Sequence, residues 1–176
     1  AIDTLINNAG LAVGLEPRHE GDPDDWERMI DTNIKGLLYV TRAVTPGMVA
    51  RRAGHIVNLG SIAGREVYPG GAVYCATKHA VRALSQGMRQ DLLPYGIRVS
   101  LICPGAVETE FSLVRFKGDN QRAAGVYDGY TPLTANDIAR TIRFALAAPA
   151  HVDLQDILVM PTAQADARTI HRTPKG

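Results

Sequence analysis

The sequence predicts an α/β fold built on a doubly wound parallel sheet, and three observations predict it. First, four short runs are apolar nearly throughout: TLINNAG (4–10), HIVNLGS (55–61), IRVSLICPG (97–105) and DILVMPT (156–162). Such runs suit strands buried on both faces, as a parallel sheet requires. Second, longer amphipathic segments separate these runs, giving the order βαβαβ, loop, αβ. Third, three of the runs end in small or polar residues: Asn7-Asn8-Ala9-Gly10, Gly60-Ser61 and Pro104-Gly105. In a doubly wound sheet that carboxyl edge is where ligands bind.

Each element has its own justification. TLINNAG is a strand entering a turn. In residues 23–51, Trp26, Met29, Ile30, Asn33, Leu37, Val40 and Val44 fall at helical spacing behind an acidic start, so a helix is expected, kinked or divided near its end by Pro46. HIVNLGS is the second strand. Residues 72–93 form the next helix, stopped by Pro94 and Gly96. IRVSLICPG is the third strand and residues 106–132 are a mixed loop. LTANDIARTIRFALAA (133–148) is a helix with Thr134 as candidate N-cap. DILVMPT is the fourth strand, followed by a polar tail. With no internal repeat, low-complexity tract or linker, residues 1–176 read as one domain.

Composition narrows the function classes. Of 176 residues, 45% are hydrophobic and 21% charged, and the net charge is +1. That balance gives no electrostatic case for nucleic acid or an anionic membrane. No apolar run approaches the roughly 20 residues needed to span a bilayer, and AIDTLINNAG lacks the charged and apolar regions of a signal peptide. Cys75 and Cys103 are too few for a disulfide framework or zinc site, and the five histidines lack metal-ligand spacing. A soluble cytoplasmic protein without a metal is therefore expected, with Cys75 a small buried thiol.

The chemistry-bearing residues gather at the predicted carboxyl edge. In GGAVYCATKHAV (70–81), Tyr74 and Lys78 stand one helical turn apart. A lysine stem packed on a ring accounts for the spacing. An ammonium that stabilises the phenolate accounts for it too, and would bring a phenol of pKa near 10 into range for proton transfer. Ser61, at the end of the preceding strand, has a hydroxyl suited to holding a substrate carbonyl oxygen as charge develops on it. Asn33 reads either as a surface amide or as an inward one that interrupts the helix and holds a water relaying protons to Lys78. Asn8-Ala9-Gly10 and Pro104-Gly105 read as simple turns, or as turns that let a flat ring approach the backbone.

NNAG (7–10), Asn33 in DTNIKG (31–36), Gly60-Ser61, YCATK (74–78) and PGAVET (104–109) occur in the order and spacing of short-chain dehydrogenases/reductases, and the chain resembles that family. The resemblance implies a Rossmann-like fold, with Tyr74 as catalytic acid/base and Lys78 lowering its pKa and holding the nicotinamide ribose. It also implies that Ser61 orients the carbonyl and Asn33 serves the proton relay. Asn8, Ala9 and Gly10 would line the adenosine-ribose side of the cofactor, and Pro104, Gly105, Val107 and Thr109 would wrap its nicotinamide end. Within the family the chain is similar, over essentially its whole length, to NADP-dependent 3-hydroxy acid dehydrogenases acting on serine and allo-threonine. NNAGLAVGLEP (7–17), DWERMIDTNIKGL (25–37), ETEFSLVRFKGD (108–119), LTANDIA (133–139) and PAHVDLQDILVMPT (149–162) carry that similarity.

That similarity implies NADP as cofactor, NAD not being excluded, and a small hydroxy acid or carbonyl substrate. Arg115 and Lys117 read as partners for a substrate carboxylate, or as solvated loop cations. A homotetramer is implied, with the segments 23–51 and 72–93 at a subunit interface. The family's glycine-rich TGxxxGxG turn, which holds the pyrophosphate, has no counterpart in these 176 residues. The expectation is therefore the C-terminal catalytic part of such an enzyme, strands 4–7 of its fold, with an apolar edge along the first strand. The alternatives are a reductase of neutral ketones or aldehydes, or an inactive half-fold.

Overall fold

The structure is a computed structural model that describes residues 1–173. The last three residues of the predicted polar tail lie outside the described residues. Strand β1 (Thr4–Asn7) is followed by α1 (Pro23–Ile30), a π-helical turn over Asp31–Gly36, and α2 (Leu37–Arg51). Strand β2 (His55–Leu59) leads through a 3-10 turn (Ile62–Gly64) to α3 (Ala72–Leu92) and then to β3 (Arg98–Pro104). A short strand β4 (Val107–Glu108), helices α4 (Phe111–Arg115) and α5 (Asn120–Gly125), strand β5 (Leu133–Thr134), helix α6 (Ala135–Leu146) and strand β6 (Asp156–Val159) complete the order.

The main sheet runs β1-β2-β3-β6, every neighbouring pair parallel. Alternating residues send their side chains to opposite faces. Ile56, Val99, Leu101 and Cys103 meet α2 and α3, with Met48 and Val81, on one face. Val57 and Ile102 meet Ile138 of α6 on the other. The apolar runs were thus apolar because both faces of β2 and β3 are covered. At the edge strand β1 the cover is one-sided: Leu5 packs into the α2–α3 face, while Ile6 is 43% exposed.

Two expectations are corrected. Pro46 neither kinks nor divides the helix, since α2 runs unbroken through it. Arg42 and Pro46 are both exposed, so the carbonyl deprived of its donor faces water, and buried Met48 anchors the following turn. The interruption falls instead at Asp31–Gly36, around Asn33. The segment 106–132 is not all loop, for it holds α4 and α5, and β4 pairs with β5 to tie the β3 exit to the start of α6. Thr134 does cap α6, in a reciprocal pair with Asp137.

Candidate active site

The site is assembled at the carboxyl edge of the sheet by α3. Gly71 leads directly into α3, and a Cβ there would lie 2.0 Å from the Tyr68 ring, so the close turn requires glycine. One turn later Tyr74 and Lys78 both face inward and both are buried. Tyr74 packs among Ala12, Met29 and Ala63, and its ring meets Phe111 at 5.5 Å between centroids. Lys78 turns its ammonium to the end of β2, donating to the Leu59 carbonyl at 2.9 Å. Ser61, two residues beyond that carbonyl, caps the 3-10 turn by accepting from the Ala63 amide at 3.1 Å.

Asn33 is the inward amide of its two readings, 2% exposed. Its oxygen accepts from the Leu11 amide at 2.9 Å, and its Nδ2 donates to the Leu11 carbonyl at 2.8 Å and to Thr77 Oγ1 at 3.0 Å. Thr77 in turn donates to the Tyr74 carbonyl at 2.8 Å. The π-helical turn therefore clamps the loop after β1 to the backbone of α3. Beneath it, Asn7 bridges Thr41 of α2 and Asn58 of β2 at 3.0 and 2.8 Å, and Asn58 donates to Ser85 of α3 at 2.9 Å.

A cleft of about 690 Å³ opens over these residues. Asn8, Gly10, Ser61, Tyr74 and Lys78 line one side; Pro104, Gly105, Val107 and Thr109 line another. Phe111 and Val114 of α4 and Ile138 and Ile142 of α6 form its apolar wall. Most of the sequence-predicted site residues are thus brought to one cavity. Ala9 stands exposed beside it, and Asn33 supports it from beneath without lining it.

Arg115 is placed differently. It does not line the main cleft but a narrower recess on the far side of Tyr74, with Val13, Trp26 and Val73. Its guanidinium lies 5.1 Å from the ring centroids of Tyr74 and Phe111 and 5.7 Å from that of Tyr68, and donates to the Tyr68 hydroxyl at 2.7 Å. Lys117, the other candidate for a carboxylate, is engaged by Asp25 at 2.7 Å.

Burial dominates the electrostatics of the Tyr–Lys pair. Burial pushes the Tyr74 phenol above its ordinary value, and the Arg115 guanidinium is the strongest influence pulling it back, followed among such influences by Ser61. Lys78 sits 5.9 Å from the ring centroid with its charge directed at Leu59, and burial brings its own pKa down to about 8. Among the described residues, no group of three or more histidine, cysteine, aspartate or glutamate side chains is arranged to hold a metal. No described helix is long and apolar enough to cross a membrane.

Sequence reasoning missed three supporting residues. Thr77 lay in plain view inside YCATK. Tyr68 carried the weaker signal of an aromatic beside Pro-Gly-Gly. Gln164, which accepts from the Ala106 amide at 2.8 Å and so fixes the Pro104-Gly105 turn, gave no signal at all.

Comparison with known proteins places the chain in a family. The short chain dehydrogenase family model matches residues 1–119. The NADP-dependent 3-hydroxy acid dehydrogenase YdfG of Salmonella typhi is 52% identical over 174 residues, covering 98% of this chain and 70% of that protein. The protein of the same name from Escherichia coli K12 is 50% identical, with 97% and 70% covered. Among solved structures, the closed form of a serine dehydrogenase complexed with NADP+ superposes with a TM-score of 0.93 at 50% identity, covering 98% of this chain and 70% of that one. With the tyrosine, lysine and serine gathered at the carboxyl edge of a parallel sheet, the chain belongs to the short chain dehydrogenase family.

Proposed function

We propose that the protein is an NADP-dependent oxidoreductase acting on the hydroxyl, or the corresponding carbonyl, at position 3 of a small 3-hydroxy acid such as serine, allo-threonine or 3-hydroxypropanoate. The observation that carries it is the convergence of Tyr74, Lys78 and Ser61 on one cleft, joined to about 50% identity with 3-hydroxy acid dehydrogenases. The residues present fit the nicotinamide end of such a cofactor. The Lys78 ammonium has three N–H donors and gives one to Leu59, leaving the others for ribose hydroxyls. Gly10 has no side chain where a Cβ would stand 3.3 Å from Asn33 and 3.4 Å from Lys78, so the β1 end stays low enough for close approach. Asn8 and Ala9 extend that surface, and Pro104, Gly105, Val107 and Thr109 face it. When bound, NADP supplies the hydride acceptor or donor.

The chain's own residues manage the oxygen and its proton. The Ser61 hydroxyl holds the substrate oxygen and orients it toward Tyr74. In oxidation the Tyr74 phenolate accepts the hydroxyl proton; in reduction the phenol returns it. Lys78 and Asn33 flank Gly10, which supports a proton path from Tyr74 past Lys78. Arg115 keeps an unpartnered Nε at the recess beside Tyr74, a donor for a substrate carboxylate that enters that recess rather than the main cleft. The exposed Leu38, Tyr39 and Val40 on α2 support the homotetramer expectation, and a cytoplasmic setting accords with these substrates.

A second reading, reduction of neutral ketones or aldehydes, is favoured by the apolar cleft wall of Phe111, Val114, Ile138 and Ile142. A panel of paired substrates with and without a carboxylate decides between them. The 3-hydroxy acids should turn over with kcat/KM at least tenfold above their neutral counterparts. Equal or inverted values would replace the first reading with the second.

A further inference from the structure

Helix α4 serves both cavities beside Tyr74, since Phe111 and Val114 wall the main cleft and Arg115 lines the recess. Its position therefore shapes the proposed substrate site, and its C-terminal end is fastened in an unusual way. The helix closes in a Schellman turn, the Gly118 amide donating to the Leu113 carbonyl at 2.9 Å and the Lys117 amide to that of Val114 at 3.1 Å. The residue just past the cap of such a turn is left-handed and ordinarily glycine, because a Cβ is disfavoured there. Here it is Lys117, at φ 52°. A side chain in that conformation persists where its surroundings hold it, and Lys117 has such a hold: its ammonium meets the Asp25 carboxylate at 2.7 Å.

The choice of Asp25 follows from its neighbours. Glu16 accepts from the Leu15 amide and Asp22 caps α1 through the Asp24 amide, so both nearby carboxylates have backbone duties. Asp25 lies in the first turn of α1, where the helix dipole favours negative charge, and its side chain is only 13% exposed. Trp26, the next residue, lines the recess together with Arg115. A second tie runs alongside, the Gly14 amide donating to the Arg115 carbonyl at 2.9 Å. We propose that the Lys117–Asp25 ion pair is a positioning device for the substrate site, holding the C-terminal end of α4 against α1 and so fixing Arg115 in the recess. Lys117 thus serves a substrate carboxylate without touching it. That last step rests on the reading of the protein as a 3-hydroxy acid dehydrogenase; the docking of α4 on α1 does not.

Trp26 is the single tryptophan of the chain, so its fluorescence reports on the recess independently of activity. The proteins to compare are wild type, Lys117→Gly, Lys117→Arg, Asp25→Asn and the Lys117→Gly/Asp25→Asn double variant. Lys117→Gly removes the disfavoured Cβ, so its melting temperature should not fall. Acrylamide quenching of Trp26 should nevertheless rise. KM for a 3-hydroxy acid should rise about fivefold with kcat unchanged, the upper range for an ion pair with one exposed partner. Asp25→Asn should behave alike, the double variant no worse than either single, and Lys117→Arg close to wild type. Wild-type quenching or wild-type KM in Lys117→Gly overturns the proposal, as do additive effects in the double variant. A melting temperature that falls in step with the rise in KM would make the pair merely structural. Failure of the underlying reading looks different: wild type would then prefer neutral carbonyls. The pair is in that case judged by Trp26 quenching and by KM for those substrates, which meet Phe111 and Val114 of the same helix.

Discussion

The two long helical segments that flank the site are built on opposite plans. Residues 72–92 form one uninterrupted α-helix, and its regular spacing brings Tyr74 and Lys78 to the same buried face. Residues 23–51 change geometry at Asp31–Gly36, and there the buried Asn33 reaches sideways to Leu11 and Thr77. The regular helix presents the proposed reacting groups, and the irregular one holds them in place. Widened turns of this kind recur at functional positions. The difference teaches that the proline in the first segment, the residue expected to break it, is structurally quiet, whereas an asparagine carries the break.

Substitutions on the two helices should separate presentation from support. Tyr74→Phe keeps the ring among Ala12, Met29 and Phe111, so melting temperature should hardly change. Its kcat should fall by more than about a hundredfold, or roughly 3 kcal/mol of barrier. On the supporting helix, Asn33→Ala leaves the half-buried amide and carbonyl of Leu11 without their side-chain partners. That should cost about 2–3 kcal/mol of stability and roughly tenfold in kcat, seen together in denaturant melts and steady-state rates. Loss of rate without loss of stability would make Asn33 chemical rather than supporting.

In the acid range, an effect of pH on stability is expected from the scaffold beneath both helices. His55 is buried, its Nε2 bonded to Ser100 at 2.8 Å, and burial lowers its pKa to about 4 from 6.5. As pH falls below 6.5 the unfolded chain takes up a proton that the folded chain refuses until about pH 4. Stability therefore declines across that window. His55→Gln should flatten that slope in melting temperature, and an unchanged slope would assign the acid sensitivity elsewhere. The smallest effect belongs to Pro46→Ala. It should stay within about 1 kcal/mol, measured by chemical unfolding, because the helix already runs through the position.

Much of this was legible in the sequence, and the gaps have physical reasons. Strands β2 and β3 were visible because burial on both faces forces continuous apolar runs. Tyr74, Lys78 and Ser61 were visible because helix period and strand end determine where they point. Asn33 was visible only as a mismatch, an amide in a helix, and its partners required the loop after β1 to be placed. Helices α4 and α5 were hidden because five or six residues are too few for periodicity to register. The cage around Arg115 was hidden for a different reason. It is assembled from Tyr68, Tyr74 and Phe111, which only the fold brings together, so spacing along the chain carried no trace of it. Lys117 shows the same limit, since the sequence offered a free cation and folding gave it Asp25.

The central claim is that Tyr74 exchanges the proton. The most direct measurement is the pH dependence of kcat/KM for wild type and Tyr74→Phe on the same hydroxy acid. Wild type should show a rising limb that reports ionisation of the phenol, and the variant should retain only a small rate with that limb gone. A variant whose residual activity titrates along the wild-type limb would contradict the account and move the acid/base to another group.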